Sequence, residues 1–460
     1  MIPTKTIEDK VNTKIAAGNL SDLEYAQMFS VASSFSSNST KVATFSALPS
    51  AASKKGVIYY VISERIYYFS DGVSWRSNFT SSFGNDANAG VVTGWGDNGS
   101  GRLGDNTVTS KSSPVAVVGN LSWSQVSAGG QHSLGISRGI AYAWGYNGSG
   151  RLGDGTTTNT SSPVTVIGGI TNWIQLSAGG FHSLGLTSAG VAYGWGYNGN
   201  GRLGDNTGIS KLSPVTVVGN LSWSQVSASH SIFASRGHSL GITSAGVAYA
   251  WGLNQYGRLG DNTTTERSSP VSVVGSLIWS QVSAAAAFSL GVTTAGVAYG
   301  WGQGYRGNLG DTTKSNRSSP VVVVGGLNWS QVSGGAGGEP FPGSSIGIAA
   351  GVAYGWGDNT IGQLGNGTTS TSVLSPISVV GGFTNWSEVS FGDRYVLGRR
   401  SDGVAYAWGT AENGRLGNGT FSTSTSSPVT IVGGITTWSQ VSAGIAHGLG
   451  ISSLGQKGFI

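Results

Sequence analysis

The chain is predicted to be mainly β, a seven-bladed β-propeller closed between its N- and C-terminal strands and preceded by a small helical plus β-meander module. Three observations predict this. The segment Gly94 to Asn106, GWGDNGSGRLGDN, returns in six near-copies, seven in all, at intervals of 49 to 56 residues. Each period carries four short runs of strand-forming residues. The periodic region opens on the strand-like GVVTGWG at Gly90 and ends on WSQVSAGIAHGLGIS at Trp438 to Ser452, so it starts and stops in mid-unit.

The elements follow in chain order as a helical segment over 1–34, a small β-meander over 35–84 and a propeller over 85–460. In the first, Ile7, Val11 and Ile15 lie four apart, Gly18 reads as a helix stop, and SDLE at Ser21 to Glu24 is a capping box opening a second helix with Leu23, Met28 and Val31. In the second, GVIYYVISERIYYFSDGVSW alternates around SER and DG, the pattern of a meander. Exposed Tyr and Ile stripes on so small a sheet call for a partner to cover them.

In the third, the four runs are typified by SPVTVIG, WIQLSAG, HSLGLTS and GVAYGWG, with Gly, Asn and Pro punctuating the turns. Four strands per unit describe a propeller blade. Pairing the last two strands with the first two completes a seventh unit, and radial closure leaves only short, protected edges. Trp95, Trp144, Trp195, Trp251, Trp301, Trp356 and Trp408 occupy one repeat position, and Trp123, Trp173, Trp223, Trp279, Trp329, Trp386 and Trp438 another; together they account for all but one of the 15 tryptophans. The first set is expected to fill the space between blades, each ring burying roughly 150–250 Å². Arg102, Arg151, Arg202, Arg258 and Arg415 are expected to pin the loop by pairing with the nearby Asp105, Asp154, Asp205 and Asp261 or with a carbonyl. Asn308 and Gln363 replace the arginine in two copies, and Asn366 and Asn418 replace the aspartate.

Composition bounds the function. The 460 residues are only 10% charged, with a net charge of +5 and no Lys/Arg run, which argues against nucleic acid as a partner. There is no cysteine, so disulfides and cysteine metal sites are excluded. The N-terminus lacks the apolar core of a signal peptide, and no segment has the roughly 18 apolar residues of a membrane span, so neither export nor membrane insertion is expected.

The pattern WSQVSAGGQHSLGI followed by AYAWGYNGSGRLGDGTTTNTSSPV resembles the regulator of chromosome condensation repeat family, over about four-fifths of the chain. That resemblance implies a seven-bladed propeller, in agreement with the closure argument. The N-terminal helices followed by ATFSALPSAASKKGVIYYVISERIYYFSDGVSW resemble the corresponding segments of tailed-phage structural proteins, particularly of cyanobacterial phages. This second resemblance implies a virion location, with Ile7, Val11, Ile15, Leu23 and Met28 as the candidate virion anchor and other virion proteins as partners. The alternative for this module is a small domain that only packs on the propeller.

No catalytic constellation emerges, and no cofactor or metal is expected. His132, His182, His238 and His447 occupy one repeat position, which reads as a core or channel-lining residue; His230 alone departs from that register. The glycine loops lack the Lys-Ser/Thr of a phosphate-binding loop, and Asp97 and Asp358 are not matched by acids in other copies. Two units are six residues longer in the same loop, at Ser229 to Gly237 and at Gly337 to Gly343. His230, Phe233, Arg236, Glu339 and Phe341 there, with Asp393, Arg394 and Tyr395 of an uninserted copy, form the candidate binding face, alongside variation at Phe181, Phe288 and Ile445; neutral loop drift is the competing explanation. The expected function is a non-enzymatic virion structural protein, an appendage, tail fibre or decoration component touching a host surface glycan or protein. The alternative is a cytoplasmic or exported bacterial propeller that binds or inhibits another protein. Nucleotide exchange on a small GTPase, the activity of the chromosome-condensation regulator for which the repeat family is named, does not transfer with the fold.

Overall fold

The computed structural model describes residues 40–42, 58–61, 66–70 and 75–77 by their backbone, and residues 90–231, 233, 236–336 and 343–453 in full. Contacts divide the chain into two units, Met1–Asp86 and Ala87–Ile460. The expected helices over 1–34, with the anchor residues Ile7, Val11, Ile15, Leu23 and Met28, lie outside the described residues.

In the first unit, Thr40–Val42, Ile58–Val61, Ile66–Ser70 and Trp75–Ser77 form a four-stranded sheet in that order. The last three pair antiparallel, as a meander does, with Ile58 opposite Phe69 and Tyr68 opposite Ser77. The first, which precedes the run read as a meander, pairs parallel to its neighbour, Thr40 against Tyr59.

The second unit is the seven-bladed propeller. Its sheets are four-stranded, each ordered as inner, second, third and outer strand. Blade 1 joins Trp438–Ala443 and His447–Ser453 to Gly90–Gly96 and Lys111–Ala116. Here His447 lies opposite Gly96 and Ser453 opposite Gly90, so the ring is closed by main-chain pairing between its two ends. Blades 2 to 7 span 125–165, 173–216, 223–272, 279–322, 329–378 and 386–430. Inner strands of successive blades touch around the axis.

Burial follows position across each blade. The second strand, HSLGLT at His182–Thr187 for example, is buried at all six positions because it is covered on both faces by neighbouring blades. The outer strand is half-exposed or exposed at every position. Each outer strand carries a proline, Pro114, Pro163, Pro214, Pro270, Pro320, Pro376 and Pro428, inside a register shift such as that between Gly300 and Gly302 of blade 5. A proline in a bulge removes a donor and bends the strand, which blunts the edge against pairing with another chain.

Two rings of tryptophan hold the blades together, as the repeat predicts. Trp95, Trp144, Trp195, Trp251, Trp301, Trp356 and Trp408 have no exposed surface. Within a blade each stacks edge-on or tilted against the inner-strand tryptophan, Trp144 on Trp123 with centroids 5.5 Å apart. Trp123 and Trp144 of blade 2 share a core with Val92, Val117, Leu449 and Ile451 of blade 1, so the rings do fill the space between blades.

The inner strands are linked by side chains that imitate a β-ladder. Gln125 Oε1 accepts from the Leu176 amide and its Nε2 donates to the Leu176 carbonyl, both at 2.9 Å. Two residues on, Ser127 Oγ accepts from the Ala178 amide at 2.9 Å. The Gln-to-backbone bond returns from Gln175 to Val226, Gln225 to Val282, Gln281 to Val332, Gln331 to Val389 and Gln440 to Val126. In blade 7 the residue is Glu388, which still accepts from the Val441 amide at 3.1 Å but has no proton to return. Arg399 compensates its charge at 3.2 Å, and burial raises its pKa despite that partner.

Candidate functional site

The upper face of the ring is defined by the connections from inner to second strand and from third to outer strand. Both insertions lie in the first of these connections. The propeller strands at Gly90 and Ser453 enter and leave at the opposite, lower face, because Gly90 begins a third strand and Ser453 ends a second one.

The repeated glycine loop is a coupling between blades. Asn98 Oδ1 accepts from the Leu103 amide at 3.0 Å, and its Nδ2 donates to Asp105 and to the Thr107 carbonyl, each at 3.0 Å. The loop so shaped offers the Arg102 carbonyl to blade 2, where it accepts from Trp144 Nε1 at 2.9 Å and Ser133 Oγ at 2.7 Å. Gly104 has φ +72°, and a Cβ there would lie 2.8 Å from Trp144 Nε1, so glycine is needed twice over.

Of the two partners expected for the loop arginines, the carbonyl is found. Arg151 Nη1 donates to Gly180 O at 2.9 Å and Arg258 Nη1 to Ala286 O at 2.8 Å, each in the next blade. The aspartates serve the loop asparagines, threonines and, in blades 3 to 5, a cation of the outer strand, such as Arg267 on Asp261 at 3.0 Å. The expected pairing with the aspartate three residues on is thereby corrected: Arg151 and Arg258 reach forward to the next blade, while Arg102 also meets Asp97 and Arg415 also meets Glu412, acids that precede them in their own loops.

The four repeated histidines are core residues. His447 Nε2 lies 2.8 Å from Ser133 Oγ, His132 from Ser183 at 2.8 Å, His182 from Ser239 at 2.9 Å and His238 from Ser289 at 2.8 Å. Each serine already donates its proton to a loop carbonyl, so it accepts from the imidazole and fixes the Nε2–H tautomer. In a nucleophilic pair the proton runs from serine to histidine, and here the polarity is reversed. All eight side chains are fully buried, and burial pushes the histidine pKa values well below the usual range.

The predicted binding face is partly assembled. His230 reaches over blade 3 to the Ala128 carbonyl of blade 2 at 3.1 Å, which lays the insertion of blade 4 over the ends of the inner strands. Its pKa is lowered by burial, against the pull of the carbonyls of Ala128 and Ala178. Phe233 and Arg236 are half-exposed and stacked, guanidinium to ring centroid 4.9 Å. Asp393 and Arg394 are half-exposed and 3.8 Å apart. Tyr395 must be corrected: it is fully buried, its hydroxyl donating to the His447 carbonyl at 2.6 Å, and it replaces a core histidine. Phe288 is buried for the same reason. Glu339 and Phe341 lie outside the described residues.

A second feature of the same face was missed. Arg151 lies over Tyr146 at 4.7 Å and over Phe181 at 4.8 Å, Phe181 meets Tyr197 edge-on at 6.4 Å, and Arg202 lies over Tyr197 at 4.9 Å. The three aromatic rings are half-buried and the two arginines buried, so they make a continuous ladder across blades 2 and 3. Burial pushes the pKa of both arginines down to about 10. Its signal was in the sequence: where Asp97 follows Trp-Gly in blade 1, Tyr146 and Tyr197 follow it in blades 2 and 3. Among the described residues no group of three or more His, Cys, Asp or Glu is placed to hold a metal ion.

Known proteins resemble this chain in sequence and fold. The chain is 28% identical over 244 residues to the E3 ubiquitin-protein ligase HERC2 of Homo sapiens, and equally to that of Mus musculus; the match covers 51% of this chain and 4% of the relative. It therefore spans a small fraction of those relatives' length. The human WBSCR16 structure superposes with a TM-score of 0.70 at 20% identity, covering 81% of this chain and all of that one. Prp20p from Saccharomyces cerevisiae, described together with its binding to Gsp1p and histones, superposes with a TM-score of 0.68 at 18% identity over 79% of this chain and 92% of its own. At those identities the likeness establishes the fold. The model of the Regulator of chromosome condensation (RCC1) repeat matches residues 89–136, 138–186, 189–234, 245–292, 350–398 and 402–451. The longest stretch it skips, 293–349, includes the loop where Asn308 replaces arginine, and its described residues form regular strands of blades 5 and 6. With more than half of its length matched, the chain belongs to the RCC1 repeat family.

Proposed function

We propose that this protein is a non-enzymatic, protein-binding propeller of a phage virion, an appendage or fibre component that docks through its N-terminal module and presents its upper face to a host surface. The observation that carries this reading is polarity: the propeller strands enter and leave on the lower face, while the insertion at Ser229 to Gly237 and the aromatic ladder occupy the upper one. A scaffold so arranged can be held from one side and read from the other. The N-terminal resemblance to tailed-phage proteins supports the particle as the site of docking. Co-sedimentation of the full-length chain, and of residues 85–460 alone, with phage particles lacking this protein tests it. Attachment by the full chain only is expected; attachment by neither overturns the virion role.

A second reading, a regulator that binds a partner protein without a particle, draws support from the fold it shares with Prp20p, which is described as binding Gsp1p and histones. Capture of a single cellular protein by the upper face, with no particle binding, favours this reading.

A further inference from the structure

We propose that the upper face of blades 2 and 3 is a binding site for an acidic polysaccharide, seated on Tyr146, Phe181 and Tyr197 above Arg151 and Arg202. The proposal rests on the host-surface reading above and narrows it to one ligand class.

The repeat supplies its own control. Between blades 1 and 2 the equivalent residues are Asp97, Arg102 and Gln131, and Asp97 neutralises Arg102 at 3.0 Å. Between blades 2 and 3 they are Tyr146, Arg151 and Phe181. The fold is unchanged, yet the counter-ion has been exchanged for an aromatic ring and the polar neighbour for another. Blade 3 repeats the first exchange with Tyr197. Blade 6 keeps an aspartate, Asp358, paired with Arg306 across the blade boundary at 2.6 Å. Tyrosine in place of the blade 1 aspartate is thus confined to two adjacent blades.

The exchange leaves Arg151 in a costly state. It is 1% exposed, no described carboxylate forms an ion pair with it, and its Nε lacks a hydrogen-bond partner among the described residues. A buried cation without a counter-ion is disfavoured unless something else answers its charge. The ring faces of Tyr146 and Phe181 supply part of that answer. An anionic ligand above the rings supplies the rest through the low-dielectric interior.

The rings are held ready. A Cβ at Gly148 or Gly199 would collide with the hydroxyl of Tyr146 or Tyr197, so each tyrosine lies folded over its own glycine loop. Preset aromatic rings lose little freedom on binding. A pyranose stacks its C–H face on such a ring, and its carboxylate or sulfate answers the cation. Two near-identical Tyr–Gly–Arg units in successive blades match a ligand that is itself a repeat, which favours a polysaccharide over a peptide.

Affinity electrophoresis of the full-length protein through gels containing alginate, neutral dextran or polyglutamate tests this. Alginate is expected to retard it, the retardation falling with added salt, while dextran and polyglutamate have little effect. The double substitution Tyr146→Asp and Phe181→Gln installs the residues the fold already uses at the neighbouring interface. It is expected to leave the melting temperature within a few degrees and to weaken alginate binding at least tenfold. Absence of retardation by alginate, equal retardation by polyglutamate, or alginate binding unchanged in the double variant each overturns the proposal. A protein that docks on particles but ignores alginate loses this site and keeps its virion role.

Discussion

Trp144 of blade 2 donates its indole N–H to the carbonyl of Arg102 in blade 1 at 2.9 Å, and that oxygen also accepts from Ser133. The same bond returns from Trp195 to Arg151 and from Trp251 to Arg202, so these blades are keyed to the loop before them, whereas the buried Trp301 indole N–H of blade 5 has no partner among the described residues. Trp144→Phe keeps most of the ring but leaves a gap and loses the donor, and is expected to cost about 1–3 kcal/mol; Trp144→Ala is expected to cost about 3–5 kcal/mol. Urea denaturation with a common m-value measures both. A Phe variant as stable as the parent would show that the indole bond contributes nothing.

The Gln ring makes a second prediction. Gln281 accepts from the Val332 amide at 2.8 Å and donates to its carbonyl at 2.9 Å. Gln281→Ala strands both groups between inner strands, with an expected loss of about 1–3 kcal/mol. Amide exchange at Val332 should quicken beyond what the global loss explains.

Acid should destabilise the fold through the buried histidines. Their folded pKa values are depressed by burial, so below about pH 6.5 the unfolded chain takes up protons that the folded chain refuses. Stability is therefore full above that pH and falls as the pH drops, by about 1.4 kcal/mol per unit for each histidine. Blade 5 carries Phe288 at this position, and Ser345 of blade 6 keeps its bond to the Asn308 carbonyl at 2.8 Å. His182→Phe is accordingly expected to fold and to flatten the pH slope by one proton. An unaltered slope in denaturation midpoints between pH 7 and 5 would locate acid sensitivity elsewhere.

The outer-strand prolines guard the rim. Beside Pro320 lies Val322, 49% exposed on the outer strand of blade 5. Pro320→Thr restores a donor in the bulge of an unpaired edge, and concentration-dependent association is expected by light scattering. A variant that stays monodisperse over the same range would show that the bulge alone suffices.

Much of this architecture was legible because it repeats. A tryptophan returning at one position in seven β-rich units, or a histidine in four of them, must meet one environment each time, and the mid-unit start and stop of the repeats left main-chain closure as the way to complete the ring. The Gln of WSQVSA carried the same signal and went unread, since nothing local distinguishes a polar side chain facing solvent from one completing a ladder with the next blade. The loop arginines show the limit from the other side: their nearest acids in sequence were the natural partners, but the chain between blades brings a carbonyl closer.

The sequence by itself determined the seven four-stranded units, their closure and the buried tryptophans, because hydrophobic period and turn chemistry act within one unit. Only the tertiary structure decided which half-exposed residues share a surface. Tyr395 and Phe288 look like loop variation along the chain and are core in space, whereas Tyr146, Arg151 and Phe181 are separated along the chain and stack into one ladder. The physical reason is that contacts between blades join residues about thirty to fifty positions apart, and their geometry is set by the packing of two sheets rather than by the pattern of either.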